Sequence, residues 1–170
     1  MRRPLHAAIL LCLTFWKPVD ALAQGFQTEH DLSCAYFSPD PDVDGGPPIL
    51  FYADLSADEE SAVTESPGVG RIDFALEHDT LKIFWVLTYR DLTTSPIGAH
   101  VHGPQTLGGE AAILFDIAPE GLASPTSGST LLSEGELAYL VSDRMYVNFH
   151  TEKYVAGELG GSIRKQRPEC

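Results

Sequence analysis

The chain has 170 residues, with 11 Lys and Arg against 24 Asp and Glu, for a formal net charge of −13. Without residues 1–23, which hold Arg2, Arg3, Lys17 and Asp20, 147 residues remain with a net charge of −15. That length fits one domain with a hydrophobic core and argues against a multi-domain enzyme. The acidity argues against nucleic acid and anionic lipid as partners, because their phosphates need clustered Lys and Arg.

Arg2 and Arg3 precede Ala7 to Trp16, an almost wholly apolar stretch, and Ala21-Leu22-Ala23 supplies small residues where a signal peptidase reads. This predicts a Sec-type signal peptide over 1–23, cleaved after Ala23, and a secreted or periplasmic destination. The apolar stretch falls short of the about 20 residues that a membrane span needs, so no span is expected. Cys12 leaves with the leader, and Cys34 and Cys170 remain. In an oxidising compartment the two are expected to form a disulfide; the alternative is two distant thiols.

Residues 24–48 read as an extended, acidic, Pro-rich lead-in. The prolines of Ser38 to Pro48 remove backbone donors and forbid a central strand or helix. Asp40-Pro-Asp-Val-Asp-Gly45 copies the first half of an EF-hand loop. Phe51 then stands where a bidentate Glu is needed, and Pro47-Pro48 bar the closing helix, so a solvated acidic turn fits better than a calcium site.

The main domain is expected over 49–166, with a tail over 167–170. Ile49 to Leu55 is rich in apolar residues. In Arg71 to Glu77, Ile72, Phe74 and Leu76 share one face while Arg71, Asp73 and Glu77 share the other, which marks a half-buried strand. Leu81 to Tyr89 follows a hairpin tip at His78-Asp79, with Leu81, Ile83, Trp85, Leu87 and Tyr89 on one face. Trp85 and Tyr89 therefore read as core. Further strands are expected at Gly98 to Gly103, Ala111 to Ile117, Met145 to Thr151 and Gly157 to Arg164. Ser124 to Thr130 reads as a loop or an edge strand. Ser133 and Glu136 have capping-box spacing before Leu137, Leu140 and Val141, which predicts a short helix over 133–142. The fold class is all-β: an antiparallel β-sandwich or flattened barrel of seven or eight strands, with one short helix.

Five histidines lie beyond the leader: 30, 78, 100, 102 and 150. His100-Val101-His102 puts two imidazoles on one face of a strand, about 6–7 Å apart along the chain, and turns Val101 to the other face. In Met145 to Thr151, Val147 and Phe149 share the apolar face, so His150 points outward with Tyr146 and Asn148. If a neighbouring strand brings His150 beside the pair, three neutral imidazoles with an open position suit copper or zinc. The other reading is three half-exposed histidines bonded to loop backbone. His30 and His78 read as ordinary surface residues. There is no G-x-S-x-G elbow and no phosphate-cradling glycine loop, and no pair of carboxylates stands out as an acid and nucleophile. No catalytic residue is assigned.

Several motifs in order resemble the CHRD domain, the module named after chordin and also found in exported bacterial proteins. They run from about Ile49 to Arg164. Ala53-Asp-Leu-Ser-Ala-Asp-Glu-Glu60 with Gly68-Val-Gly70 is similar to the opening strand and loop. Gly98-Ala-His-Val-His-Gly-Pro104 is similar to the central A-H-x-H-G-P motif, Tyr146-Val-Asn-Phe-His-Thr151 to Y-V-N-x-H-T, and Ala156-Gly-Glu-Leu-Gly160 to the closing G-E-I-R-G. Gly160 departs from the family's Arg. The resemblance implies an all-β immunoglobulin-like or barrel domain and no settled activity. Glu158 is expected to support the site from behind by bonding a histidine or loop backbone.

A second, weaker similarity is to copper-zinc superoxide dismutase, in which an H-V-H strand and a later strand ending in His ligate one copper. His100, His102 and His150 match that order, and the zinc loop has no counterpart between Pro104 and Glu110. It implies a superoxide-dismutase-like β-sandwich with a copper-only, three-histidine site. The sequence thus favours an exported binding or structural module with a copper site and a metal ion or an extracytoplasmic protein as partner. A dismutase-like redox enzyme and a metal-free protein-interaction module are the alternatives.

Overall fold

The computed structural model describes residues 48–167 except His78, residues 107–110 and residues 119–121. The predicted leader, the acidic turn, His30, His78, Cys34 and Cys170 lie outside the described residues. The described chain contains nine strands and one α-helix: β1 Ile49–Ser56, β2 Val69–Leu76, β3 Lys82–Arg90, β4 Pro96–His102, β5 Ile113–Asp116, β6 Thr126–Leu131, α1 Glu134–Val141, β7 Tyr146–Thr151, β8 Leu159–Ser162 and β9 Arg164–Lys165. No described helix is long and apolar enough to cross a membrane.

The strands form one sheet in the order β5-β4-β7-β8-β1-β2-β3-β6, with β9 beside β1, and every pairing is antiparallel. The sheet curls into a nearly closed barrel, so of the two expected architectures the flattened barrel is the one that forms. β5 and β6 are the two ends of the hydrogen-bonded order. Trp85 of β3 bridges them. Its ring stacks on Phe115 of β5 with centroids 5.5 Å apart, and its Nε1 donates to Ile117 O at 2.9 Å. The indole lies over Gly128 of β6, where a Cβ would stand 2.5 Å from a ring carbon. Only glycine permits that approach.

Side-chain alternation builds the interior. Ile72, Phe74 and Leu76 of β2 and Ile83, Trp85 and Leu87 of β3 are buried, as their period-two spacing predicts. Phe51 and Leu55 of β1, Ala99 and Val101 of β4, and Val147 and Phe149 of β7 complete the core. Each large apolar side chain so buried contributes about 1.5–3 kcal/mol. Arg71 faces out and bonds Asp54 and Asp73.

Ser124 to Thr130 takes the second of its two expected forms, the edge strand β6, because its residues pair with β3 from Thr126↔Leu87 to Leu131↔Lys82. Two segments differ from expectation. Gly157 to Arg164 splits into β8 and β9 at Ile163, whose N–H donates to Met145 O instead of to a ladder partner. Ala111 to Ile117 shortens to β5. The helix forms where its cap predicts. Ser133 Oγ accepts from Glu136 N at 3.3 Å, and Glu136 Oε2 accepts from Ser133 N at 2.7 Å.

Candidate metal centre

The site follows from the pairing of β4 with β7. The register sets Gly98 opposite His150, His100 opposite Asn148 and His102 opposite Tyr146. Ala99 and Val101 are fully buried, and so are Val147 and Phe149. The alternate residues therefore point out of the barrel on both strands. His100, His102 and His150 meet there, with ligand-type nitrogens all within 4.8 Å of one another. Gly98 leaves the space between them open, since a Cβ there would stand 3.3 Å from His100 Cε1 and 3.7 Å from His150 Cδ2.

Backbone carbonyls decide which nitrogens are free. His102 Nδ1 lies 3.0 Å from Ala111 O, and His150 Nδ1 lies 3.0 Å from Val155 O. A carbonyl only accepts, so both rings carry their proton on Nδ1 and present a lone pair at Nε2. His102 Nε2 is buried and has no hydrogen-bond partner. His150 Nε2 stands 3.1 Å from His100 Nδ1, which donates to it. Two donors on one ion, with bonds of about 2.0–2.1 Å, are separated by about 2.9–3.4 Å in square or tetrahedral geometry. His100 Nδ1 and His150 Nε2 already have that spacing, and His100 ligates through that atom once its proton has moved off Nδ1. Closing a gap of 4.8 Å to that spacing takes about 1.4 Å, shared between two rings.

The charge state suits ligation. Burial pushes the His100 imidazole below its ordinary pKa, the facing His150 and His102 push the same way, and Asp116 opposes them. His100 is therefore neutral near pH 7. Asp116 stands opposite His100 on β5, in register.

The structure brings the three predicted ligands together. Asn148 is more enclosed than its outward position predicts; it is 6 % exposed and donates to Ala156 O. Glu158 takes the second of its two expected partners, loop backbone. It is fully buried, and its carboxylate serves the Thr93 amide and three hydroxyls, with no described bond to an imidazole. It accepts from Ser66 Oγ at 2.5 Å, from Thr93 N and Oγ1 at 2.8 Å, and from Thr151 Oγ1. Burial alone would raise its pKa. The bonds from Ser66, Thr151 and Thr93 outweigh that and hold the carboxyl below its usual range. The backbone of Ala111 and Val155 holds the imidazoles of His102 and His150. Those carbonyls gave no sequence signal, since any residue type carries one. Tyr146, which stacks on His102, did give a signal: it shares the outward face of its strand with His150.

Comparison with curated proteins and with solved structures returns no match, so the similarity to the dismutases rests on the order of the three histidines alone. One family model does match, and its span of residues 51–163 runs from within β1 past the end of β8 and takes in all three imidazoles: the chain belongs to the CHRD domain family.

Proposed function

We propose that this CHRD domain is an exported binding module whose three imidazoles hold one copper ion. The observation that carries the reading is the His102 ring. Its Nε2 is buried without a partner while its Nδ1 is held to a carbonyl, so a lone pair stays unused in a cluster whose ligand-type nitrogens lie within 4.8 Å of one another. A buried polar atom without a partner is costly, and a bound ion removes that cost. The donor set is three neutral nitrogens, without thiolate or carboxylate. Such a set suits late transition metals, and among divalent ions the affinity order peaks at copper. Bound there, copper supplies a one-electron couple and a position open to a small ligand.

The test is a copper titration of protein purified without a His tag. The expected result is about one copper per chain, displacement of zinc, and a raised thermal midpoint in the loaded protein. In His102→Ala the affinity falls by more than about 100-fold and the midpoint no longer responds. Equal copper affinity in the wild type and this variant overturns the reading. Superoxide dismutation by the loaded wild type, absent from the variant, would move the module to the redox alternative.

A further inference from the structure

We propose that Tyr146 is the positioning residue of this centre, holding His102 in the tautomer that offers Nε2 to a metal. The inference deepens the three-imidazole reading and takes its purpose from it. Three contacts close a ring. The phenol oxygen of Tyr146 accepts from Ala111 N at 3.1 Å, and Ala111 O accepts from His102 Nδ1 at 3.0 Å. The His102 and Tyr146 rings stack, with centroids 5.0 Å apart and planes 14° from parallel. Tyr146 therefore acts on His102 twice, through the face of the ring and through the peptide that fixes its proton.

Fold topology makes the clamp. His102 and Tyr146 are direct partners across β4 and β7 and face outward, so their rings lie side by side. Ala111 lies in the segment that returns from β4 to β5. Gly103 N also holds that segment by donating to Ala112 O at 3.2 Å. β7 thus supplies one ligand, His150, and the residue that sets another. A metal-ligating imidazole needs its second nitrogen fixed, because a ring free to exchange tautomers presents N–H to the metal for part of the time. Free imidazole side chains favour the proton on Nε2, the form that cannot ligate through that atom. His150 has its own anchor in Val155 O and owes nothing to Tyr146.

The test compares wild type with Tyr146→Phe, which keeps the stack and loses the hydroxyl, and Tyr146→Leu, which loses both. Imidazole nitrogen shifts are read by NMR on the metal-free protein at about pH 8, where histidine is neutral. The expected wild-type result is a proton on Nδ1 of both His102 and His150. In Tyr146→Phe the His102 shifts move toward a mixture of tautomers while those of His150 stay in place. Copper affinity then falls by about tenfold in the Phe variant and further in the Leu variant, and the copper EPR signal changes. A merely structural role would lower stability without moving one ring's tautomer. Retention of the wild-type His102 shifts in folded Tyr146→Phe overturns the proposal, and so does a wild type with the proton on Nε2. The Phe variant decides alone if the Leu variant fails to fold. Because the tautomer is read without metal, a protein that never binds copper overturns the proposed function and leaves the clamp to be judged by its own nitrogens.

Discussion

Neighbouring residues of β7 serve two polar clusters that solve burial in opposite ways. Thr151 faces Glu158, whose carboxylate also draws hydroxyl or amide donors from Ser66 and Thr93. His150 faces His100 and His102, where the His102 Nε2 has no partner. The first cluster is complete, so it ties the loops that contain Ser66 and Thr93 to the end of β7 and has nothing left to offer a ligand. The second keeps a lone pair in reserve. On the proposed reading, the unpartnered Nε2 of His102 is the atom that an ion would satisfy, while the Glu158 cluster is satisfied from within.

Removing one partner from each cluster should separate the two roles most sharply. Glu158→Ala leaves three hydroxyls and one amide without their acceptor, and should lower stability by about 2–4 kcal/mol in urea unfolding. Its folded fraction should keep copper affinity to within the about tenfold that loss of a direct orienting partner costs. His102→Ala should lose binding outright, beyond the stability cost of removing a buried ring that stacks on Tyr146. A Glu158 variant that keeps full stability, or one that loses copper outright while folded, would erase the distinction.

Gly98 gives a finer probe of the histidine cluster. Its alanine variant places a methyl group 3.3 Å from His100 Cε1, tighter than an ordinary contact, in the space the rings share. The ring must give way. Gly98→Ala should weaken copper binding by a few-fold to about tenfold, and its stability should change by less than about 1 kcal/mol, because the site is half-exposed. Unchanged affinity would mean that the rings close on the ion from another direction.

Much of this contrast was legible in the sequence, and the reason is periodicity. Ile72, Phe74 and Leu76 alternate with charged neighbours, so β2 declared its faces. The same rule placed His100 and His102 together and turned His150 outward. The helix was legible because Ser133 and Glu136 form a chemical signature that needs no tertiary contact. Strand pairing is different. Nothing in residues 98–102 or 146–151 alone states that β4 lies beside β7, and the meeting of the three rings depends on that pairing. The hydroxyl partners of Glu158 were hidden for a related reason. Its partners, Ser66 and Thr93, lie 92 and 65 residues away. A hydroxyl that far off in sequence looks like any other polar surface residue.

The smallest expected effect tests whether the Glu158 cluster is complete in its charge as well as in its hydrogen bonds. The Glu158 carboxyl is held below its ordinary pKa in the folded chain, through bonds that favour the ionised form. The unfolded chain releases that group to an ordinary value of about 4.5. A depressed folded pKa stabilises the fold at pH values above the unfolded one, and that stability is lost as the pH falls through the folded value. Glu158→Gln keeps the shape, lacks the charge and cannot titrate. Wild type should therefore exceed the variant in urea midpoint at pH 7, and the gap should narrow steadily as the pH drops below about 4.5. The other carboxylates titrate alike in both chains, so the difference isolates one group. A gap that stays constant down to acid unfolding would show that hydrogen-bond geometry, and not ionisation, is what the four donors recognise.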